Sequence, residues 1–208
     1  MRLTTLTFLL FAACGSSESK QPAAGSAGSA GSGSAAAYDA LGKKPANARR
    51  PTPPPGIETK ALAVGAKAPA VALVDAAGAP WQLTASLAKH ARVMLVFYRG
   101  DWCPHCRKQL GELQSKQADF AAKGLGLVAI SVDEVPAGRA LTAKLGLGFP
   151  ILSDPKAEAI RAFGVFDEDT EIAWASIFVV DKDGTIVKRW LADTYSQRVA
   201  TDDVLRDL

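Results

Sequence analysis

The junction of an apolar run with a pair of cysteines constrains this chain more than any other feature. Residues 92–98 read RVMLVFY, an almost unbroken succession of apolar and aromatic side chains of the kind found in a strand buried on both faces. Cys103-Pro104-His105-Cys106 follow shortly after. From residue 103 to 122 the apolar positions Leu110, Leu113 and Phe120 stand among polar ones, as in a long helix. A buried strand that runs into C-x-x-C at the opening of a helix points to an α/β layer architecture, and the cysteine spacing points to dithiol redox chemistry.

The physics of a helix start explains the spacing. The first turn exposes unpaired N–H groups and the positive end of the helix dipole, so a thiolate placed there is stabilised. On that argument Cys103 is the expected nucleophile. Cys106, three residues later, is the expected resolving thiol, close enough to close a disulfide across one turn. Pro104 suits the first helical position, where its missing N–H removes nothing. His105 adds positive charge beside the Cys103 thiolate, which favours the reduced pair and makes the disulfide more oxidising. Trp102 is a candidate platform beside the disulfide.

No metal and no cofactor is required. A structural zinc site needs two more ligands, and outside the motif residues 61–208 offer only His90 among cysteines and histidines. Haem attachment needs a histidine directly after the second cysteine, where Arg107 stands. A purely structural disulfide across two residues closes too small a loop to stabilise much.

The remaining pattern alternates strand and helix around a central sheet. Residues 71–74 and 81–83 read as short strands, 126–132 as a second buried strand and 137–145 as a helix. Asp154-Pro155 is a helix start, with Asp as cap and Pro in the first turn. Residues 177–180 and 185–190 flank the turn Asp181-Lys182-Asp183-Gly184 as a hairpin, and 202–208 close the chain as a short helix.

Ahead of this domain, expected over residues 61–208, lie two other regions. Residues 1–13, MRLTTLTFLLFAA, carry one early cation and an apolar run too short to span a bilayer, as in an export signal. Leu10-Phe11-Ala12-Ala13-Cys14 resembles a bacterial lipobox, which implies cleavage before Cys14, acylation of Cys14, and a lipid anchor on a membrane facing the periplasm or exterior. In residues 15–60, 30 of 46 are Gly, Ser, Ala or Pro, too little apolar surface to offset the entropy of ordering, so residues 14–60 read as a lipidated cysteine and a disordered tether. The chain's charge of +3 divides accordingly: +1 in the leader, +3 in the tether and −1 in the domain, which has 17 Lys+Arg against 18 Asp+Glu. A near-neutral domain argues against a nucleic-acid partner.

The domain resembles the thioredoxin-fold superfamily, and within it the peroxiredoxin-like branch of the alkyl hydroperoxide reductase C/thiol-specific antioxidant family. The resemblance is carried by Val64-Gly65 with Ala68-Pro69-Ala70, the block from Phe97 to Cys106 with Arg107 and Leu110, and Ala129-Ile130-Ser131-Val132-Asp133. Further matches are Phe149-Pro150-Ile151-Leu152-Ser153-Asp154-Pro155, Phe163-Gly164-Val165, and Phe178-Val179-Val180-Asp181-Lys182-Asp183-Gly184. It implies a mixed sheet flanked by helices and a thiolate that attacks a disulfide sulfur of a protein client or a peroxide oxygen. An external thiol reductant, or an oxidant if the cycle runs in reverse, restores the pair.

Counted from Cys103 as peroxidatic cysteine, the family's Pro-x-x-x-Thr-x-x-Cys pattern places Val96 and Gly100 at its Pro and Thr positions; Arg99 and Arg198 are then candidate donors to the peroxide. Where thioredoxins carry a buried acid, six residues before the first cysteine, this chain has Phe97, leaving Asp101 as a candidate for proton transfer. The leading expectation is an extracytoplasmic thiol-disulfide oxidoreductase using Cys103 and Cys106. The alternatives are a thiol-dependent peroxidase with Cys103 as its peroxidatic cysteine and, from another class, a copper-binding chaperone.

Overall fold

A computed structural model describes residues 39–208. The leader, Cys14 and the first part of the tether lie outside the described residues. In chain order the elements begin with α1 (Ile57–Lys60), β1 (Ala72–Asp75), β2 (Pro80–Gln82), α2 (Leu83–Lys89) and β3 (Arg92–Phe97). They continue with α3 (Pro104–Ser115), α4 (Gln117–Ala122), β4 (Leu125–Ser131), α5 (Val135–Leu145), β5 (Ile151–Ser153) and α6 (Glu158–Ala162). The chain closes with β6 (Phe166–Asp167), β7 (Ile172–Ala173), β8 (Ser176–Asp181), β9 (Ile186–Leu191) and α7 (Thr201–Asp207).

The apolar run becomes β3, which pairs in parallel with β4 and antiparallel with β8, inside a seven-stranded mixed sheet of order β2-β1-β5-β4-β3-β8-β9. Because successive side chains of a strand point to opposite faces, β3 feeds two cores. Val93, Leu95 and Phe97 join Phe163 and Phe178 on one face. Met94 and Val96, with Tyr98 just beyond the strand, join Leu110, Leu113, Phe120 and Val204 of the helices on the other. Full burial of each of these large side chains contributes about 1.5–3 kcal/mol. The sheet therefore holds its order by packing on both sides, and the motif helix α3 lies on the second.

Several local features differ from the sequence expectation, among them Leu83, which opens α2 instead of ending a strand. The helix expected over 103–122 is two, α3 and α4, separated at Lys116 (φ −106°, ψ 9°), with no Gly or Pro to mark the break. Gln114 faces the neighbouring loop there, its Oε1 accepting the N–H of Gly148 at 2.6 Å. Asp154 does cap a helix, its carboxylate accepting the N–H groups of Glu158 and Ile160, but α6 begins at Glu158 and Pro155 precedes it. The three-residue β5 carries too short a pattern to be read from sequence.

A further difference concerns the segment assigned to the tether. Its last part, residues 39–60, lies against the domain. Ile57 and Ala48 are buried, Arg50 bonds the buried Asp167 at 2.6 Å, and Asn47 Nδ2 donates to the Asp169 carbonyl at 2.8 Å.

Candidate active site

Beyond β3 the chain makes one further sheet bond, Tyr98 N–H to the Ile130 carbonyl at 3.0 Å, and then turns at Gly100 (φ +147°). A side chain at Gly100 would run into the Trp102 indole, so glycine is required both for the backbone angle and for the space. The turn closes with Cys103 N–H donating to the Gly100 carbonyl at 3.1 Å. Cys103 is the N-cap of α3, Pro104 takes the first helical position as expected, and the Cys103 carbonyl accepts the Arg107 N–H at 3.0 Å. This local chemistry fixes Cys106 one turn inside the helix. Both cysteines are free thiols and fully buried in the core that contains Met94, Val96, Tyr98 and Leu110.

The charge-stabilising groups converge on Cys106. Arg198 Nη2 lies 3.1 Å from Cys106 Sγ and 3.8 Å from Cys103 Sγ, and the Arg99 N–H donates to Cys106 Sγ at 3.5 Å. Burial by itself raises the Cys106 thiol. The hydrogen bond from the Cys103 thiol, the Arg198 charge and the Arg99 N–H outweigh it and bring Cys106 down to about 5. Cys103, donating its proton to Cys106 and facing the resulting negative charge in a buried setting, is pushed up. The pair therefore shares one proton and one negative charge, and the nearer Arg198 guanidinium and the Arg99 N–H favour the charge on Cys106.

The helix terminus and the neighbouring His105 are the local features that favour a thiolate on Cys103. The deciding cation comes from the loop before α7, far along the chain, and favours the other sulfur.

Arg99 has a different place from the one expected. Its guanidinium is almost wholly buried and donates to the carbonyls of Ala48 and Tyr195, the latter at 3.3 Å. It lies 5.2 Å from the centre of the Trp102 ring and 5.7 Å from that of Tyr195. Trp102 thus serves Arg99 as a platform and packs against the core that holds the cysteines. His105 is half-buried and sets its ring edge-on to Tyr195, 5.9 Å between centroids. His105 and Arg198 also line a groove of about 400 Å³ with Lys108, Glu112 and Thr201.

A buried acidic cluster adjoins the motif. Asp101 is fully buried; its carboxylate accepts the N–H groups of Leu41 and Gly42 at 2.8 and 2.9 Å. Asp133 Oδ2 accepts the Asp101 N–H at 2.8 Å and the Ser131 hydroxyl at 2.9 Å. Burial pushes Asp133 up to about 6; the Ser131 hydrogen bond opposes the rise and the Asp101 charge adds to it. Burial and then the charge of Asp133 also raise Tyr98 well above its ordinary value.

Sequence reasoning gave Asp133 and Tyr98 no role. The signal available was topological: Tyr98 follows β3 and Asp133 follows β4, so both stand at carboxyl ends of adjacent parallel strands, where α/β sheets place their sites. Among the described residues no group of three or more His, Cys, Asp and Glu is placed to hold a metal ion.

The chain is similar to known thiol redox proteins. A Mycobacterium tuberculosis protein named as a peroxiredoxin is 37% identical over 138 residues, covering 62% of this chain and 85% of its own length. The thiol-disulfide oxidoreductase ResA of Geobacillus thermodenitrificans is 30% identical over 132 residues, covering 63% of this chain and 71% of its own. Among solved structures, Enterococcus faecalis AhpC superposes with a TM-score of 0.63 at 24% identity, covering 70% of this chain and 89% of that one, which supports the fold. Since the AhpC/TSA family matches residues 64–189, more than half of the sequence, the chain belongs to the AhpC/TSA family and is an oxidoreductase.

Proposed function

We propose that the protein reduces small hydroperoxides with Cys106 as the attacking thiolate and Cys103 as the resolving thiol. The observation that carries this is the Arg198 guanidinium, 3.1 Å from Cys106 Sγ in a site where both sulfurs are buried. A cation beside a thiolate favours its ionisation and can also bind a peroxide oxygen. A buried sulfur suits a small substrate better than a protein disulfide. The family's Pro-x-x-x-Thr-x-x-Cys pattern gains meaning when counted from Cys106: Arg99 then stands at the Pro position and Cys103 at the Thr position, where its thiol donates to Cys106.

In this cycle the Cys106 thiolate attacks one peroxide oxygen, the O–O bond breaks, and the alkoxide leaves as the alcohol after taking a proton. Cys106 becomes a sulfenic acid. The Cys103 sulfur, losing its proton, attacks Cys106 and expels hydroxide, which leaves as water, and a Cys103–Cys106 disulfide forms. The two electrons reside in the peroxide-derived products, and an external dithiol restores the pair. Asp133, whose carboxyl burial lifts to about 6, is the group of the adjoining acidic cluster suited to exchange protons.

Thiol-disulfide exchange with protein clients is the second reading, favoured by the position of Cys103 as N-cap of α3, ahead of Pro104. It requires Cys103 to become accessible and to attack first. A copper-chaperone reading finds no group of three or more His, Cys, Asp and Glu placed to hold a metal among the described residues. For location, the apolar leader and the Cys14 motif support a lipid anchor that holds the domain outside the cytoplasm.

Rapid mixing of the reduced protein with cumene hydroperoxide, and separately with a disulfide-bonded protein, distinguishes the readings. Fast oxidation by the hydroperoxide that survives Cys103→Ser but not Cys106→Ser supports the first. Oxidation by the disulfide alone, lost in Cys103→Ser, supports the second and overturns the first.

A further inference from the structure

Residues 41–50 cross the motif loop and grip it at two points. The Asp101 carboxylate accepts the N–H groups of Leu41 and Gly42, and the Ala48 carbonyl accepts the Arg99 guanidinium. The approach is so close that a Cβ on Gly42 would overlap the carboxylates of both Asp101 and Asp133. The far end of the segment is anchored by Arg50, paired to Asp167 at 2.6 Å and to Asp169 at 2.9 Å.

Arg99 connects this strap to the chemistry. Its Nη1 donates to the Tyr195 carbonyl at 3.3 Å, and the same carbonyl accepts Arg198 Nη1 at 3.2 Å. Arg198 in turn places Nη2 on Cys106 Sγ. One carbonyl oxygen, with two lone pairs, thus fixes two guanidinium groups, one held from behind by the strap and the other facing the sulfur. Trp102 and Tyr195 enclose Arg99 between them, which leaves it little freedom to take another course.

We propose that the strap, residues 41–50, is a working part of the active site: by seating Arg99 it fixes the Tyr195 carbonyl and, through that carbonyl, the position of Arg198 on Cys106. Arg99 is a positioning residue in this arrangement. The inference rests on the reading of Cys106 as the thiolate held by Arg198.

A thiolate titration of the reduced full chain, followed by absorbance near 240 nm, tests it with four variants. Gly42→Ala lifts the strap without removing any charge. Arg99→Lys keeps the charge but loses the planar fork that reaches two carbonyls at once. Both are expected to raise the midpoint of the first thiolate by about one pH unit, a tenfold smaller thiolate fraction below the midpoint. Arg99→Met should do at least as much, and Arg198→Met should raise the midpoint most.

If Arg198→Met raises the midpoint while Gly42→Ala and Arg99→Lys titrate like the unaltered protein, the strap is packing alone and the proposal is wrong, even where those variants melt at lower temperature. A response to Arg99→Met with none to Arg99→Lys or Gly42→Ala also overturns it, since Arg99 would then act through its charge. An unshifted midpoint in Arg198→Met removes the underlying reading of the site, and the strap proposal with it.

Discussion

The two faces of the sheet are fed by the same strand and differ in what they do. On one, Val93, Leu95 and Phe97 meet Phe163 and Phe178, with ring centroids of Phe97 5.0 Å from Phe163 and 5.7 Å from Phe178. On the other, Met94, Val96 and Tyr98 meet the two cysteines of α3, with Arg198 reaching over the sulfurs and the Asp101–Asp133 cluster at the strand ends. Tilted and edge-on aromatic pairs fill the first face densely and leave it to packing. The second accepts a buried negative charge, a cost that the Arg198 cation and N–H donors offset. Stability and reactivity are thus divided between opposite faces of one strand, and substitutions on each should separate the two properties.

The largest effect belongs to the thiol face. Cys106→Ser should lower the rate of hydroperoxide reduction at least about a thousandfold, since no nucleophile replaces the thiolate. Cys103→Ser should retain the first oxidation step and accumulate a sulfenic acid on Cys106, visible by trapping with dimedone and mass spectrometry.

On the aromatic face, Phe163→Ala should lower the unfolding free energy by about 3–5 kcal/mol in urea titrations and leave the thiolate midpoint in place. A shifted midpoint in that variant would break the division between the faces. Arg198→Met should slow attack on hydroperoxide at neutral pH by about 100- to 1000-fold, the scale of losing one donor to the transition state. The reduced form of this variant should also melt lower, because Arg198 offsets the cost of the buried thiolate.

The last contrast is in stability against pH. In the folded reduced protein Cys106 has lost its proton at about 5, whereas the unfolded chain keeps that proton up to about 9. Between those values the unfolded state binds more protons, so the stability of the reduced protein rises with pH across the interval. The disulfide form has no thiol to titrate and lacks this rise. Asp133, lifted to about 6, gives a slope of the opposite sign between about pH 4 and 6, as its ionisation is harder in the folded state. Because that slope is common to both redox forms, the difference between reduced and oxidised unfolding curves isolates Cys106.

What the sequence made legible follows from the range of the interactions involved. The β3 run, the Cys103 cap with Pro104, and the β8–β9 hairpin about Asp181–Gly184 rest on neighbours in the chain, so local pattern reveals them. The break at Lys116 and the short β5 carry no local mark and arise from packing against distant segments. The same limit governed the site. Cys103 and Cys106 were plain from their spacing, yet which of them ionises depends on Arg198, 92 positions beyond Cys106. The role of Arg99 depends on Ala48 and Tyr195, 51 residues before it and 96 after. A low-complexity composition concealed residues 41–50, because their hold on the domain runs through backbone N–H and carbonyl groups that any residue type supplies.

Thiolate absorbance of the two single-cysteine forms tests most directly which sulfur carries the charge, since it needs no reagent to reach a buried atom. Cys103→Ser leaves Cys106 with Arg198 and the Arg99 N–H, and its lone thiol should still titrate well below the ordinary cysteine range. Cys106→Ser leaves Cys103 farther from Arg198, and its thiol should titrate markedly higher than that of Cys103→Ser. A low midpoint in Cys106→Ser together with an ordinary or raised one in Cys103→Ser would place the reactive thiolate on Cys103 and contradict the assignment of Cys106 as the attacking sulfur.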